Sequence, residues 1–160
     1  MKFEPASFFK RFIAYLIDIL PIAFVVVTIA MLKFGFGQSF FELSKDDQNF
    51  GALKTFQIEN NIVSMICLAV WIIYSIAMDC SEHQGTYGKK LLKIKVVNEK
   101  GERLNFEEAF KRNTSKVISS FVFNMGFFWM FLDPKKQTWH DKIAATFVVE
   151  TKEAEDEVEL

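Results

Sequence analysis

The sequence predicts an α-helical integral membrane protein. We expect two transmembrane helices, a third membrane-inserted and possibly re-entrant helical element, and a small cytoplasmic pair of β-strands. Half of the 160 residues are hydrophobic, with 19 Phe among them, and they concentrate in three long stretches that hold almost no charge. Lys and Arg cluster between the second and third stretches. Two short segments of alternating polarity flank the third stretch, as strands would.

The first predicted transmembrane helix covers residues 12–33. Asp18 is the only charge between Arg11 and Lys33, and a spanning helix needs about 20 mostly apolar residues. A cleaved signal peptide is the main alternative, because basic residues precede the apolar run. The run is too long for a signal peptide, however, and no small-x-small cleavage site follows it. We therefore expect a retained helix.

The second predicted transmembrane helix covers residues 61–78, which hold no charge. A buried helical hairpin in a soluble protein would also supply two apolar helices. Such a hairpin needs apolar partners on all sides, and the rest of the chain is too polar to provide them. Both helices are therefore expected to cross a bilayer.

The distribution of Lys and Arg predicts the orientation of these helices. Basic residues precede the first helix, acids outnumber Lys in the loop between the helices, and nine Lys and Arg occupy residues 79–116. Cytoplasmic loops carry an excess of Lys and Arg. We therefore expect a multi-pass protein of the inner (cytoplasmic) membrane, with a cytoplasmic N-terminus and a cytoplasmic central loop.

The third element covers residues 106–132 and is predicted to begin as an amphipathic helix at the membrane surface. Asn105 and Glu108 form the pattern of a capping box at its start. Strands are predicted near residues 91–97 and near residues 146–150, and they can pair only if both lie on the same side of the membrane. This requirement favours a re-entrant element over a third span and returns the C-terminus to the cytoplasm.

Charge and composition argue against several other classes of protein. The net charge of −1 does not suit a general nucleic-acid binder. Two cysteines, Cys67 and Cys80, cannot form a disulfide scaffold. No nucleophilic set or metal-ligand pattern stands out in a chain with two histidines, so we expect no enzyme, no cofactor and no metal. Residues 151–160 hold five acids and one Lys and are predicted to form a disordered tail.

Asp18 is the sharpest candidate for a functional residue. A carboxylate near the bilayer centre costs about 2.5–3.5 kcal/mol on insertion scales, so it requires a partner. One hypothesis makes Asp18 a ligand for a cation or proton, with Arg11 on the same helix face tuning its charge. The alternative makes Asp18 a polar pin between helices and Arg11 an anchor that reaches lipid phosphates.

The central basic loop is a candidate surface for anionic lipid or for a partner protein. Lys89, Lys90 and Lys93 follow the second helix closely. The glycine spacing within residues 85–90 is too short for a phosphate-binding loop, and no Ser or Thr follows the lysines. Nucleotide hydrolysis is therefore not expected.

Asp79 and Asp141 are two further acidic candidates. Asp79 stands near Glu82 and His83 at the inner end of the second helix, where a solvated helix end is favoured over a metal site. Asp141 follows His140 and is expected to cap a short helical segment near the C-terminus.

Three motifs together resemble those of the RDD family of small integral membrane proteins, named for an Arg and two Asp. The first is the helix opening at residues 9–18, the second is the loop and strand at residues 85–97, and the third is the closing motif at residues 133–146. Arg11 matches the family Arg and Asp18 matches the Asp inside the helix. We assign the second family Asp to Asp141, with Asp79 as the other candidate.

The resemblance spans about residues 6–150, which we take as one membrane domain, and it departs from the family pattern at uncharged and basic positions. Tyr87, Lys93, Trp139 and Ala145 stand where other residues are common in the family. No charged signature residue is lost. The resemblance implies an integral membrane protein with a suspected transport role, and cation/proton exchange is suggested for some members.

Two functional hypotheses follow from the residues and from the resemblance. The first is transport of a cation or proton at a polar site centred on Asp18 and Arg11, with Asp141 or Asp79 as a cytoplasmic gate. Two or three helices enclose little space, so such a transporter is expected to be a homo-oligomer. The second is a non-transporting membrane adaptor or assembly factor whose basic loop binds partners or anionic lipid.

Overall fold

The computed structural model describes residues 4–45, 49–121 and 129–151, and the chain divides into two units. One unit consists of Met1–Asp18 together with Ile72–Leu160, and the other of Ile19–Trp71. We call them the mixed unit and the helical unit. The helices are α1 (Phe8–Phe34), α2 (Gln38–Lys45), α3 (Phe50–Asp79), α4 (Tyr87–Leu91), α5 (Phe106–Phe121) and α6 (Trp139–Ile143), and the strands are β1 (Ile94–Asn98) and β2 (Thr146–Glu150).

Helices α1 and α3 are long and apolar enough to cross a membrane. Their most apolar windows have mean hydropathies of 2.5 and 2.1, and only 11% of each window is buried inside the protein. The core helix of a soluble protein would be mostly buried instead. Two exposed apolar helices of this kind are consistent with a membrane protein.

Both long helices begin earlier than the sequence predicts, because polar residues cap them. The amide of Lys10 donates to the hydroxyl of Ser7 (3.3 Å), so α1 starts at Phe8 and not at residue 12. The amide of Ala52 donates to the side chain of Asn49 (2.9 Å), which starts α3 at Phe50 and not at residue 61. Because the first turns of α3 are polar, the apolar run alone does not show where this helix begins.

The mixed unit is built around the antiparallel pair β1–β2, in which Ile94 faces Glu150 and Asn98 faces Thr146. The N-terminal segment lies along the other edge of β2, because the amide of Ala6 donates to the carbonyl of Val148 (3.0 Å). A small apolar core backs the strands. Its members are Ala6, Ala14, Ile76, Ile94, Val96, Leu104, Ala109 and Val148. The start of α1 is thus integrated into this core.

The predicted strand near residues 91–97 begins at Ile94 instead, because residues 87–91 form the short helix α4. The strand predicted near residues 146–150 is β2. The two predicted strands do pair with each other. The side on which they lie relative to a membrane belongs to the proposal below.

Only the two ends of the predicted third element, residues 106–132, lie among the described residues. Its expected capping box is confirmed, since the amides of Asn105 and Glu108 donate to each other's side chains (2.9 and 2.8 Å). Helix α5 then runs to Phe121, and a 3₁₀ turn occupies Trp129–Phe131. Most of the predicted re-entrant stretch, like the tail after Thr151, lies outside the described residues.

Helices α1 and α4 approach each other closely at Gly88. A Cβ atom built on Gly88 would stand 2.2 Å from the carbonyl oxygen of Ala14, far inside van der Waals contact. Both residues are buried. Any side chain at residue 88 therefore has to push α4 away from the α1 backbone.

Replacing Gly88 with Ala is expected to destabilise the protein by about 1–3 kcal/mol or more, the usual range for overpacking a filled site. The measurement is the free energy of unfolding in detergent, followed by circular dichroism. Gly51→Ala is the control, because it adds the same methyl group at an exposed helical site near only the side chain of Asn49. Equal effects of the two substitutions would contradict the close approach.

Candidate functional site

Asp141 lies at the centre of a buried network of ion pairs in the mixed unit. It stands in the first turn of α6, where its Oδ2 accepts the amide of Thr138 (3.2 Å). The guanidinium of Arg11 donates to the same oxygen (2.9 Å), and Nε of Arg112 donates to Oδ1 (3.1 Å). The side chain of Asp141 is fully buried, so both oxygens are held by donors of the protein itself.

Asp79 forms the second centre of the network at the last residue of α3. Its Oδ1 accepts from Nζ of Lys89 (2.8 Å). Its Oδ2 accepts from the guanidinium of Arg112 (2.7 Å) and from the side-chain amide of Asn113 (3.1 Å). Arg112 on α5 thus bridges the two carboxylates with different nitrogens. Since Arg112 is itself buried, the network joins α3, α5 and α6 through one guanidinium.

Arg11 connects the network to the N-terminus of the chain. Besides the ion pair with Asp141, its guanidinium donates to the carbonyls of Ala6 (3.2 Å), Lys136 (2.9 Å) and Val148 (3.3 Å). These carbonyls belong to three separate segments. Arg11 is therefore occupied inside the mixed unit and does not act as the lipid anchor that one hypothesis assigned to it.

Asp18 makes a separate set of contacts, seven residues after Arg11 on α1. Its Oδ1 accepts the amide of Gly88 (2.8 Å) and the hydroxyl of Tyr74 (3.2 Å), and that hydroxyl in turn accepts the amide of Tyr87 (2.9 Å). Asp18 is 7% exposed. Its carboxylate thus caps the amide of Gly88 in the first turn of α4, and the hydroxyl of Tyr74 caps that of Tyr87. The side chain of Thr86 makes no such bond.

Electrostatics explain why the network can hold charges away from water. Burial alone would raise the pKa of Asp141, but the charges of Arg112 and Arg11 hold it well below its ordinary value. Burial lowers the pKa of Lys89 in spite of the opposing charge of Asp79. The two carboxylates outweigh burial at Arg112 and raise its pKa. Asp141 and Arg112 thus remain charged at neutral pH.

Two further titratable groups border the network. Lys116 donates to the side chain of Asn113 (2.5 Å). Burial, with the charges of Arg112 and Lys89, lowers the pKa of Lys116 well below its ordinary value. Burial also lowers the pKa of His140 well below its ordinary value, so His140 is neutral near pH 7 and not a sensor in that range.

The structure brings together three of the four predicted core residues. Arg11, Asp79 and Asp141 share the network, which gives both candidates for the second family Asp a role in it. Asp18 makes no ion pair with any described residue, so the four predicted positions do not converge on one site. Among the described residues, no group of His, Cys, Asp and Glu is arranged to hold a metal ion.

The predicted basic loop is corrected at one of its three lysines. Lys89 points inward to Asp79 with 12% of its side chain exposed, because α4 turns it toward the network. Lys90 and Lys93 are exposed, as a binding surface requires.

Sequence reasoning missed the residues that connect the network. Arg112 was counted only as one positive charge of the central loop, and Asn113 and Tyr74 carried no signal. The polar face of amphipathic α5 offers one cue, because Arg112 and Asn113 lie on it. The structure buries both side chains. Gly88 belongs to the loop motif but was not assigned a contact.

Comparison with known proteins decides the family. The RDD family matches residues 5–145. The chain belongs to the RDD family. Within this RDD protein the match covers Arg11, Asp18 and Asp141 and every element except β2.

A curated relative of this RDD protein comes from Bacillus subtilis (strain 168) and bears the name "Uncharacterized protein YxaI". It is 30% identical over 149 residues, which cover 91% of this chain and 97% of the relative. No solved structure matches the chain.

Arg112→Ala is expected to destabilise the RDD protein by about 3–5 kcal/mol, because it leaves two buried carboxylates without their shared partner. Thermal and chemical unfolding in detergent measures the change. Lys111→Ala removes an exposed charge from the neighbouring position of the same helix and is expected to change stability by less than about 0.5 kcal/mol. Similar losses for both variants would refute the bridging role.

The depressed pKa of Asp141 also predicts how stability depends on pH. Its folded-state pKa lies below the unfolded value near 3.9, so its contribution is fully present above about pH 5. The contribution is lost as the pH falls through the unfolded value toward the folded one. Asp141→Asn should therefore reduce the acid slope of unfolding free energy by up to about 1.4 kcal/mol per pH unit. An unchanged slope below pH 4 would contradict this assignment.

Proposed function

We propose that this RDD protein is a non-transporting, membrane-anchored binding protein, the second of the two hypotheses above. The observation that carries the proposal is the engagement of the acidic residues. Both oxygens of Asp79 and both oxygens of Asp141 accept hydrogen bonds from donors of the chain. A carrier needs carboxylates that exchange their partners for the transported ion, whereas these carboxylates are the fixed ends of a structural bridge.

The contact of Asp18 supports the same proposal. Hydrogen bonds from the backbone amide of Gly88 and from the hydroxyl of Tyr74 hold its carboxylate at the start of α4. Gly88 admits this contact only because it has no side chain. Asp18 therefore serves as the polar pin between elements and not as an open intramembrane ligand.

In this proposal α1 and α3 cross the inner membrane, and the N-terminus and the central basic segment face the cytoplasm. The excess of Lys and Arg in residues 79–116 supports this orientation. Helix α5 carries Phe106 and Phe110 four residues apart, and both side chains are at least half exposed. Such an aromatic pair on an amphipathic helix suits the boundary between headgroups and acyl chains.

The surface offered for binding includes the exposed lysines of the central loop, Lys90 and Lys93, with Lys95 nearby on β1. Lys89 is excluded from this surface by its pairing with Asp79. The network behind the lysines keeps their backbone in place. The proposal includes no chemical step and no cofactor.

The flux of sodium ions or protons in proteoliposomes tests the proposal against the transport hypothesis. Asp18→Asn keeps an oxygen that can accept from the amide of Gly88, so the variant should fold with a stability loss of roughly 1–2 kcal/mol. We expect the flux in proteoliposomes with the wild-type protein to equal that of empty liposomes. The flux with Asp18→Asn should equal the same background.

Tyr74→Phe is the matched control, because it leaves the carboxylate of Asp18 unchanged and removes only the hydroxyl that donates to it and accepts from the amide of Tyr87. Its stability loss should be about 1 kcal/mol, again without an effect on flux. Wild-type flux above background that disappears in folded Asp18→Asn and persists in Tyr74→Phe would overturn the proposal in favour of transport.

A further inference from the structure

We propose that an open groove beside α4 and β1 binds the phosphate of an anionic lipid headgroup. This inference rests on the proposed function as a binding protein and names its ligand. The groove has a volume of about 330 Å³. Its lining includes His83, Gln84, Lys90, Lys93, Lys95 and Thr151.

The charge of the groove suits a phosphate. Its walls carry three lysines against one acid, Glu82, and an ammonium group binds phosphate as a point charge. The ammonium of Lys90 lies 3.5 Å from Nε2 of His83. Because an ammonium group has only donors, Nε2 accepts in this contact, and the other hydrogens of Lys90 are left for a phosphate oxygen.

The backbone around the groove is fixed before any ligand arrives. Gln84 and Lys93 both adopt the left-handed region, with φ of 52° and 54°, which costs a non-glycine residue about 1–2 kcal/mol. Their carbonyls accept the amides of Val96 (2.6 Å) and Thr151 (2.8 Å), respectively. These bonds, from β1 and from the residue that follows β2, hold the strained conformation. A groove that is already ordered loses little conformational entropy on binding.

The surroundings of the groove favour a lipid over free phosphate. Tyr87 and Leu91 stand four residues apart on α4 and therefore share one face. They are 57% and 54% exposed, and Lys90 lies between them in the sequence. Exposed apolar side chains next to unburied lysines are the arrangement that meets acyl chains and phosphates at once at a membrane surface.

Binding of phosphatidic acid to the full chain in maltoside micelles tests the inference. The comparison ligands are phosphatidylcholine and inorganic phosphate, and native mass spectrometry gives the occupancies. We expect at least tenfold tighter binding of phosphatidic acid than of either comparison ligand. The double variant Lys90→Gln/Lys93→Gln should lose about tenfold in affinity, since each lysine near a lipid surface contributes measurably.

Lys100→Gln/Lys111→Gln is the matched control. It removes the same number of exposed charges from the central segment, at positions that do not line the groove, and should leave the affinity unchanged. Thermal unfolding of both double variants should match the wild type, which excludes a folding defect as the cause.

Three outcomes would overturn the inference. Equal loss in the two double variants would indicate nonspecific charge attraction, and inorganic phosphate binding as tightly as phosphatidic acid would indicate a free anion. Binding of a glutamate-rich peptide without selective binding of phosphatidic acid would assign the groove to an acidic protein segment. None of these outcomes depends on ion flux, so a failure here is distinguishable from a failure of the proposed function.

Discussion

The guanidinium of Arg112, held between Asp79 and Asp141, is the interaction on which the mixed unit depends. Arg112 joins the end of α3 to α5 and α6, and Arg11 extends the connection to the N-terminus and β2. A planar guanidinium presents its donors in a fixed geometry, so it holds two carboxylates at defined positions more rigidly than the point charge of a lysine can. The apolar core of this unit is small and rich in alanine and valine. Buried charges that pair completely therefore specify how these segments fit together, and removal of one would leave the others unpaired.

The contact between Asp18 and α4 compensates a charge that lies within the apolar helix α1. A carboxylate in an apolar run has to be compensated, and here the backbone amide of Gly88 and the hydroxyl of Tyr74 supply the compensation. The close approach at Gly88 is what makes that amide reachable. The signature Arg and Asp of the first helix thus have related roles, since each ties α1 to a different part of the mixed unit.

Particular elements show which parts of the fold and the site could be predicted. The two apolar helices, the capping box at Asn105 and the membership of the RDD family were within reach, because each depends on local composition or on a motif. The starts of α1 and α3 were misplaced, since a single capping side chain decides where a helix begins. The sequence predicts a loop at residues 85–90, so it reveals neither helix α4 nor the inward direction of Lys89. Arg112 could not be distinguished from its neighbouring basic residues, because a count of charges does not say which of them will be buried.

The sequence by itself determined that the chain has two long apolar helices, a basic central segment and an amphipathic helix after it, because hydrophobic periodicity and charge distribution are local properties. Only the tertiary structure decided that Arg11, Asp79, Arg112 and Asp141 form one network while Asp18 stands apart. The partners in that network are separated by as many as 130 residues in the chain. Which donor reaches which carboxylate depends on how the helices and strands pack in three dimensions, and no spacing within one segment encodes that arrangement.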